Sequence, residues 1–107
     1  MDITEVARRS GVPASTLRFY EEKGLISSTG RRGLRRVFDA AVLERLALIA
    51  LASASGFSLA EIGRMFAPDG RPRIDRQMLA AKAKELDGKI LELTAMRGFL
   101  ERLEFQT

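Results

Sequence analysis

Apolar residues recur at helical spacing in five stretches of the chain, separated by short polar or glycine-bearing breaks. Ile3, Val6 and Ala7 fall at i, i+3 and i+4, the mark of one helix face. Asp2 with Glu5 three residues later predicts a capping box that opens this helix, and Ser10-Gly11 closes it. Gly11 suits a backbone with positive φ, which other residues resist. Val12-Pro13 restarts the chain, since proline fits a first helical turn. A second helix is expected from about residue 14 to 23, with Leu17 one turn from Tyr20 or Glu21 and a stop at Gly24. Two short helices across a glycine turn predict a helix-turn-helix, whose second helix would lie in a DNA major groove.

Beyond Gly24 the pattern changes. Leu25-Ile26 and Val37-Phe38 are two apolar pairs that flank a polar, glycine-punctuated loop carrying Arg31, Arg32, Arg35 and Arg36. This predicts a small β-hairpin, a wing with a basic tip. Asp39 is expected to cap a third helix running to about Ser55, with Val42, Leu43, Leu46, Ile49 and Ala50 as its apolar face. Gly56-Phe57 breaks it. Ser58 and Glu61 form another capping box, opening a short helix to Phe66 with Ile62, Met65 and Phe66 inward. Residues 67–72, rich in proline and glycine, read as a linker.

From about Ile74 to Leu103 one long helix is expected. Leu79, Leu86, Leu93 and Leu100 recur every seven residues, with Ala83, Ile90 and Met96 or Arg97 between them. That is a coiled-coil pattern. Nothing of comparable length is available to pair with it in the chain, so a second copy is the simplest cover. The alternative is that the stripe folds back on the N-terminal domain. Gly88 and Gly98 each weaken an isolated helix by about 1 kcal/mol relative to alanine, so pairing would matter. The predicted fold is mainly α: a winged helix-turn-helix domain over 1–70 with a small β-hairpin wing, a linker at 71–74 and a long dimerisation helix over 75–107.

Composition narrows the function. The 107 residues contain no cysteine and no histidine. Disulfides are excluded, a zinc or copper site lacks its preferred ligands, and the usual nucleophile–base pairs lack their base. No phosphate-cradling glycine motif is present, so an enzyme is not expected, and no cofactor or metal. No apolar run approaches the ~18 residues of a membrane span, and the N-terminus does not read as a secretory signal, so a cytoplasmic protein is expected. The net charge is +4, and residues 1–38 carry all of the excess, with eight Lys/Arg against four Asp/Glu. Residues 39–74 and 75–107 are each balanced. A basic cluster on a near-neutral body is the footprint of a phosphate-backbone binder, though such a run can also be a solvated loop.

The stretches Ile3-Thr4-Glu5-Val6-Ala7, Ser10-Gly11-Val12 and Thr16-Leu17-Arg18-Phe19-Tyr20-Glu21-Glu22-Lys23-Gly24-Leu25-Ile26 resemble the MerR-type transcriptional regulators. So do Arg36-Val37-Phe38, Leu43-Glu44-Arg45-Leu46 and Gly56-Phe57-Ser58-Leu59-Ala60-Glu61-Ile62. The likeness runs almost continuously over residues 1–66. It implies a homodimer joined by an antiparallel pair of long helices and bound to pseudo-palindromic promoter DNA. It further implies that the promoter spacer is twisted and bent so that RNA polymerase can engage, a form of readout through DNA deformation. The wing departs from the family's usual one, because Arg35 and Leu34 stand where Tyr and Gly are frequent. Metal- and redox-sensing relatives use cysteines, and drug-sensing relatives carry a further domain. Neither feature occurs in these 107 residues, so an effector site is not expected within them.

The candidate DNA-binding set is Thr4, Ser15, Thr16, Arg18, Phe19, Tyr20, Arg31, Arg32, Arg35 and Arg36. Arg18 can reach a phosphate or a guanine edge, or pair with Glu21 or Glu22 on its own helix. Of Phe19 and Tyr20, one is expected in the core and the other against DNA. Tyr20 is the better phosphate candidate because its hydroxyl can donate, although both could be core. The dimer set is Leu79, Leu86, Ile90, Leu93 and Leu100. Met65 and Met96 read as apolar filler. Two other classes fit less well. A protein-binding adaptor has no need of the N-terminal charge, and a phage-type DNA-bending factor has no need of the long helix.

Overall fold

The computed structural model describes residues 1–33 and 35–107; Leu34, singled out above for its departure in the wing, lies outside the described residues. The elements are α1 (Ile3–Ser10), α2 (Ala14–Glu22), β1 (Gly30–Arg32), β2 (Arg35–Val37), α3 (Val42–Ala54), α4 (Leu59–Gly63) and α5 (Arg76–Gln106). Met1–Pro72 and Arg73–Thr107 form two separate compact units.

In the first unit the local signals act as expected at the start of the chain. Asp2 holds an extended backbone, and its Oδ1 accepts the Glu5 amide at 2.9 Å. Only this half of the capping box forms. The Glu5 carboxylate instead pairs with Arg9 at 3.1 Å and Arg8 at 3.7 Å along the same helix. Gly11 ends α1 at φ 75°, in the left-handed region where a side chain would be strained. The core takes Val6 from α1, Leu17 from α2, four residues from α3 (Val42, Leu46, Ile49 and Ala52), Ile62 from α4, and Leu25, Ile26, Phe38, Phe57 and Met65 from the segments between and after them.

Several boundaries shift from the sequence expectation, each for a packing reason. Leu25 and Ile26 do not flank the hairpin as strand ends. Both are 2% exposed. Successive strand residues face opposite sides, so two buried neighbours belong to a segment crossing the core and not to a solvent-facing strand. The strands form within the polar stretch itself, with Gly30, Arg31 and Arg32 opposite Val37, Arg36 and Arg35. Asp39 caps a turn and not the helix, since its Oδ1 accepts the Ala41 amide and its carbonyl the Val42 amide. The inward face of α3 is then Val42, Leu46, Ile49 and Ala52, while Ala50, expected inward, is exposed beside Leu51.

The Ser58–Glu61 capping box is complete, with both reciprocal hydrogen bonds present. Yet α4 stops at Gly63, and Phe66 pairs with Pro72 in an isolated antiparallel bridge. The segment 67–72 is therefore not a slack linker. The Ala67 amide donates to the Arg71 carbonyl and the Gly70 amide to the Ala67 carbonyl. Arg45 of α3 secures it. Its Nη1 donates to the Gly70 carbonyl at 2.9 Å, its Nε donates to the Leu25 carbonyl, and its guanidinium lies 3.8 Å from the Phe66 ring centre. Burial pushes the Arg45 pKa below its ordinary value, because desolvation disfavours the cation.

In the second unit Asp75 caps α5 by accepting the Gln77 amide at 2.9 Å, so Ile74 lies just before the helix. No residue of α5 is buried. Leu79, Leu86, Ile90, Leu93 and Leu100 are between 37% and 63% exposed, so none of these five is buried in one chain.

Phe38 is 2% exposed, so Phe38→Ala should cost about 3–5 kcal/mol through the cavity it leaves. Ser58→Ala should cost about 1 kcal/mol through the lost cap. Urea denaturation of both variants checks the order, which fails if Ser58→Ala is the more damaging.

Candidate nucleic-acid interface

The surface of α2 is set by its one core residue. Leu17 is fully buried, so residues on the far side of the helix face solvent. Phe19, about 200° further round at roughly 100° per residue, is 41% exposed. Ser15 and Arg18 are exposed, while Thr16 and Tyr20 are half-buried. The expectation that one of the aromatic pair sits in the core is corrected, because Leu17 already fills that place. The Phe19 and Tyr20 rings lie 6.2 Å apart, tilted by 45°, and the Lys23 ammonium stands 5.7 Å over the Phe19 ring. Among the described residues, Arg18 has no ion-pair partner and the Tyr20 hydroxyl no hydrogen-bond partner. The Glu21 that could have held Arg18 is engaged elsewhere.

It is engaged by the wing. The strand register sets Arg31 opposite Arg36 and Arg32 opposite Arg35. Like charges directly across a hairpin destabilise it. One arginine of each pair is neutralised from outside. Arg36 Nη1 meets Glu21 Oε1 at 2.7 Å, and Arg35 Nη1 meets Asp2 Oδ2 at 3.0 Å. Among the described residues Arg31 and Arg32 have no carboxylate partner. The wing's base is tied to the chain's first residues. The Met1 ammonium donates to the Phe38 carbonyl at 3.0 Å, the Phe38 amide donates back to Met1, and Asp2 bridges Val37.

The result is a solvent-open cleft lined by Ile3, Thr4, Arg18, Arg31, Arg35 and Arg36. It unites the start of α1, the exposed face of α2 and both wing strands, with four guanidinium groups around it. Of the sequence-derived set it gathers Thr4, Arg18, Arg31, Arg35 and Arg36; Ser15, Thr16, Phe19, Tyr20 and Arg32 do not line it. Guanidinium forks suit phosphate oxygens in geometry and charge. Asp2 and Glu21 were not in that set. Asp2 reads in sequence only as a helix cap, and Glu21 only as a neighbour of Arg18. Asp2 is held below the usual carboxylate range, chiefly by the Glu5 amide hydrogen bond and then by Arg35. No cluster of three or more His, Cys, Asp or Glu side chains suited to a metal ion occurs among the described residues.

Comparison with known proteins agrees with this geometry. Residues 1–68 match the family model of MerR helix-turn-helix regulatory proteins, and residues 43–103 match a MerR DNA-binding model. A SoxR-homolog transcriptional activator of Chromobacterium violaceum is 45% identical over 65 residues, covering 61% of this chain and 44% of the relative. The chain thus matches less than half the length of that relative. The regulator HmrR of Rhizobium leguminosarum is 35% identical over 96% of this chain and 83% of its own length. The crystal structure of HiNmlR, a regulator lacking the sensor domain and bound to promoter DNA, superposes with a TM-score of 0.68 at 28% identity, over 98% of this chain and 85% of that one.

The depressed Asp2 carboxyl fixes the sign of a pH effect. A folded-state pKa below the unfolded one contributes stability above the unfolded value, and that contribution is lost as pH falls through the folded one. Asp2→Asn keeps the cap but removes the charge-dependent contribution, so it should be somewhat less stable than the parent at neutral pH and lose less stability as pH falls. The stabilities of the two proteins, followed by circular dichroism against pH, should differ at neutral pH and converge as pH falls through the carboxylate range; a difference that does not depend on pH would refute the assignment. Glu21→Gln should speed amide hydrogen exchange in residues 30–37 by about two- to fivefold, the scale of a half-exposed ion pair.

Proposed function

The chain belongs to the MerR family of helix-turn-helix regulatory proteins, and we propose that it binds a pseudo-palindromic promoter site as a homodimer and distorts the promoter spacer to control transcription. Its role is that of a DNA-binding transcriptional regulator and is not enzymatic. The observation that carries the proposal is the pairing of α2 with the wing around one four-arginine cleft. In this reading α2 enters the major groove, with Ser15, Thr16, Arg18 and Phe19 toward the bases and the Tyr20 hydroxyl toward a phosphate. Arg31 and Arg32, which have no carboxylate partner among the described residues, grip the backbone beside it. Thr4 contacts the same strand from the start of α1. The likeness to HiNmlR, a regulator whose structure holds promoter DNA, supports this reading.

The two-fold symmetry of the site comes from α5. A 31-residue helix with no buried residue and a seven-residue leucine repeat is covered by a second copy through Leu79, Leu86, Ile90, Leu93 and Leu100. Two DNA-reading units at a fixed separation then demand two half-sites, and a mismatch between the two spacings is met by twisting and bending the DNA. RNA polymerase at the same promoter is the partner that senses the distortion. The setting is the cytoplasm; no helix among the described residues is long and apolar enough to cross a membrane.

Arg31→Ala with Arg32→Ala should weaken binding to every duplex and flatten the slope of log affinity against log salt by about 1.8, roughly 0.9 for each lost phosphate contact. An unchanged slope places the wing off the DNA. Leu86→Asp with Leu93→Asp should give a folded monomer by sedimentation and remove most of the affinity, since neither side chain is buried in the single chain. A dimer that persists would put the pairing surface elsewhere.

A further inference from the structure

The two carboxylate–arginine pairs that anchor the wing differ in kind. Glu21 and Arg36 have side chains 20% and 40% exposed, and they bind α2 to the second strand. Asp2 and Arg35 are 29% and 72% exposed, so of the two arginines, both of which line the four-arginine cleft, Arg35 is the more open to solvent. None of the six lining residues carries a carboxylate; Glu21 and Asp2 each hold one lining arginine from the edge, and Asp2 holds the more exposed one. Its two oxygens divide the work. Oδ1 accepts the Glu5 amide and caps α1, while Oδ2 takes Arg35. Arg35 can therefore leave Asp2 without uncapping the helix.

An exposed ion pair is weak and easily exchanged. A phosphate entering the cleft offers Arg35 the same planar two-oxygen recognition, with three further guanidinium groups already beside it. We infer that Asp2 sets the DNA affinity of this chain: its carboxylate competes with a backbone phosphate for Arg35, and binding exchanges one partner for the other. The inference rests on the DNA-binding reading above. The Glu21–Arg36 pair is not exchanged and keeps the wing in place while Arg35 swings over. Asp2 is thus a positioning residue whose negative charge attenuates binding, and part of the cation available to DNA is held in reserve.

The test uses fluorescence anisotropy of the whole chain with a random-sequence duplex, because sequence-independent binding reads the phosphate contacts alone. Asp2→Asn preserves the cap and removes the charge. It should bind about two- to fivefold tighter, the scale of an exposed ion pair. Its salt slope should steepen by up to about 0.9, one phosphate contact. Arg35→Gln should bind more weakly, with a flatter slope, and Asp2→Asn added to Arg35→Gln should change nothing further. A gain from Asp2→Asn that survives in the Arg35→Gln background would show a general charge effect and overturn the inference. So would an Asp2→Asn protein that binds no tighter than the parent while the parent binds the duplex normally. A parent chain that binds no duplex would sink the DNA-binding reading itself, and this inference with it.

Discussion

Four arginines in two strands of three residues are a source of repulsion before they are a binding surface. The register makes it worse by placing arginine opposite arginine twice. A hairpin this short has little of its own to offset that cost, since two-stranded ribbons are marginal in water. It is held from outside, by Glu21 on α2, by Asp2 at the cap of α1 and by main-chain pairing with Met1 and Phe38. The four-arginine cleft inherits its order from this arrangement. Because the anchors come from the start of α1 and from α2, the wing is tied to α2, and among the described residues Arg31 and Arg32 are left without carboxylates, available to phosphates under the proposed binding mode.

Arg45 does comparable work on the other side of the first unit. It joins the carbonyl that follows α2 to the carbonyl of Gly70 and covers the Phe66 ring. The three contacts use the guanidinium's rigid fork and flat face together, which a lysine could not reproduce. The turn at 67–72 is thereby fastened to the unit that carries α2, and its Pro-Gly composition reflects tight local geometry more than looseness.

The elements legible in the sequence were those whose signals are local. The Asp2 and Ser58 caps, the Gly11 and Gly24 stops and the leucine repeat of α5 act within a turn or two of themselves, and their helices form accordingly. Misplaced elements were those where a local pattern has two physical meanings. Leu25-Ile26 reads equally as a strand end or as a core crossing, and Asp39 equally as a helix cap or a turn cap. In the site, exposure was legible: Arg18, Arg31 and Arg32 stand free, as residues on polar faces should. The pairings were not legible, because Asp2 with Arg35 and Glu21 with Arg36 join residues 33 and 15 positions apart, and charge alone does not choose between partners at that range.

The span of those contacts also governs the order of folding. Main-chain pairing between Met1 and Phe38 closes a loop of 37 residues, and closure entropy must be overcome before any of those bonds forms. The contacts between α1 and α2 are far more local, so loop closure alone predicts that the wing assembles after α1 and α2 have met and opens before them on warming. The helical signal of such a protein would then persist above the temperature at which its grip on phosphates fails. Loss of occupancy on a promoter would precede loss of fold, giving the regulator a thermal response seated in the wing itself.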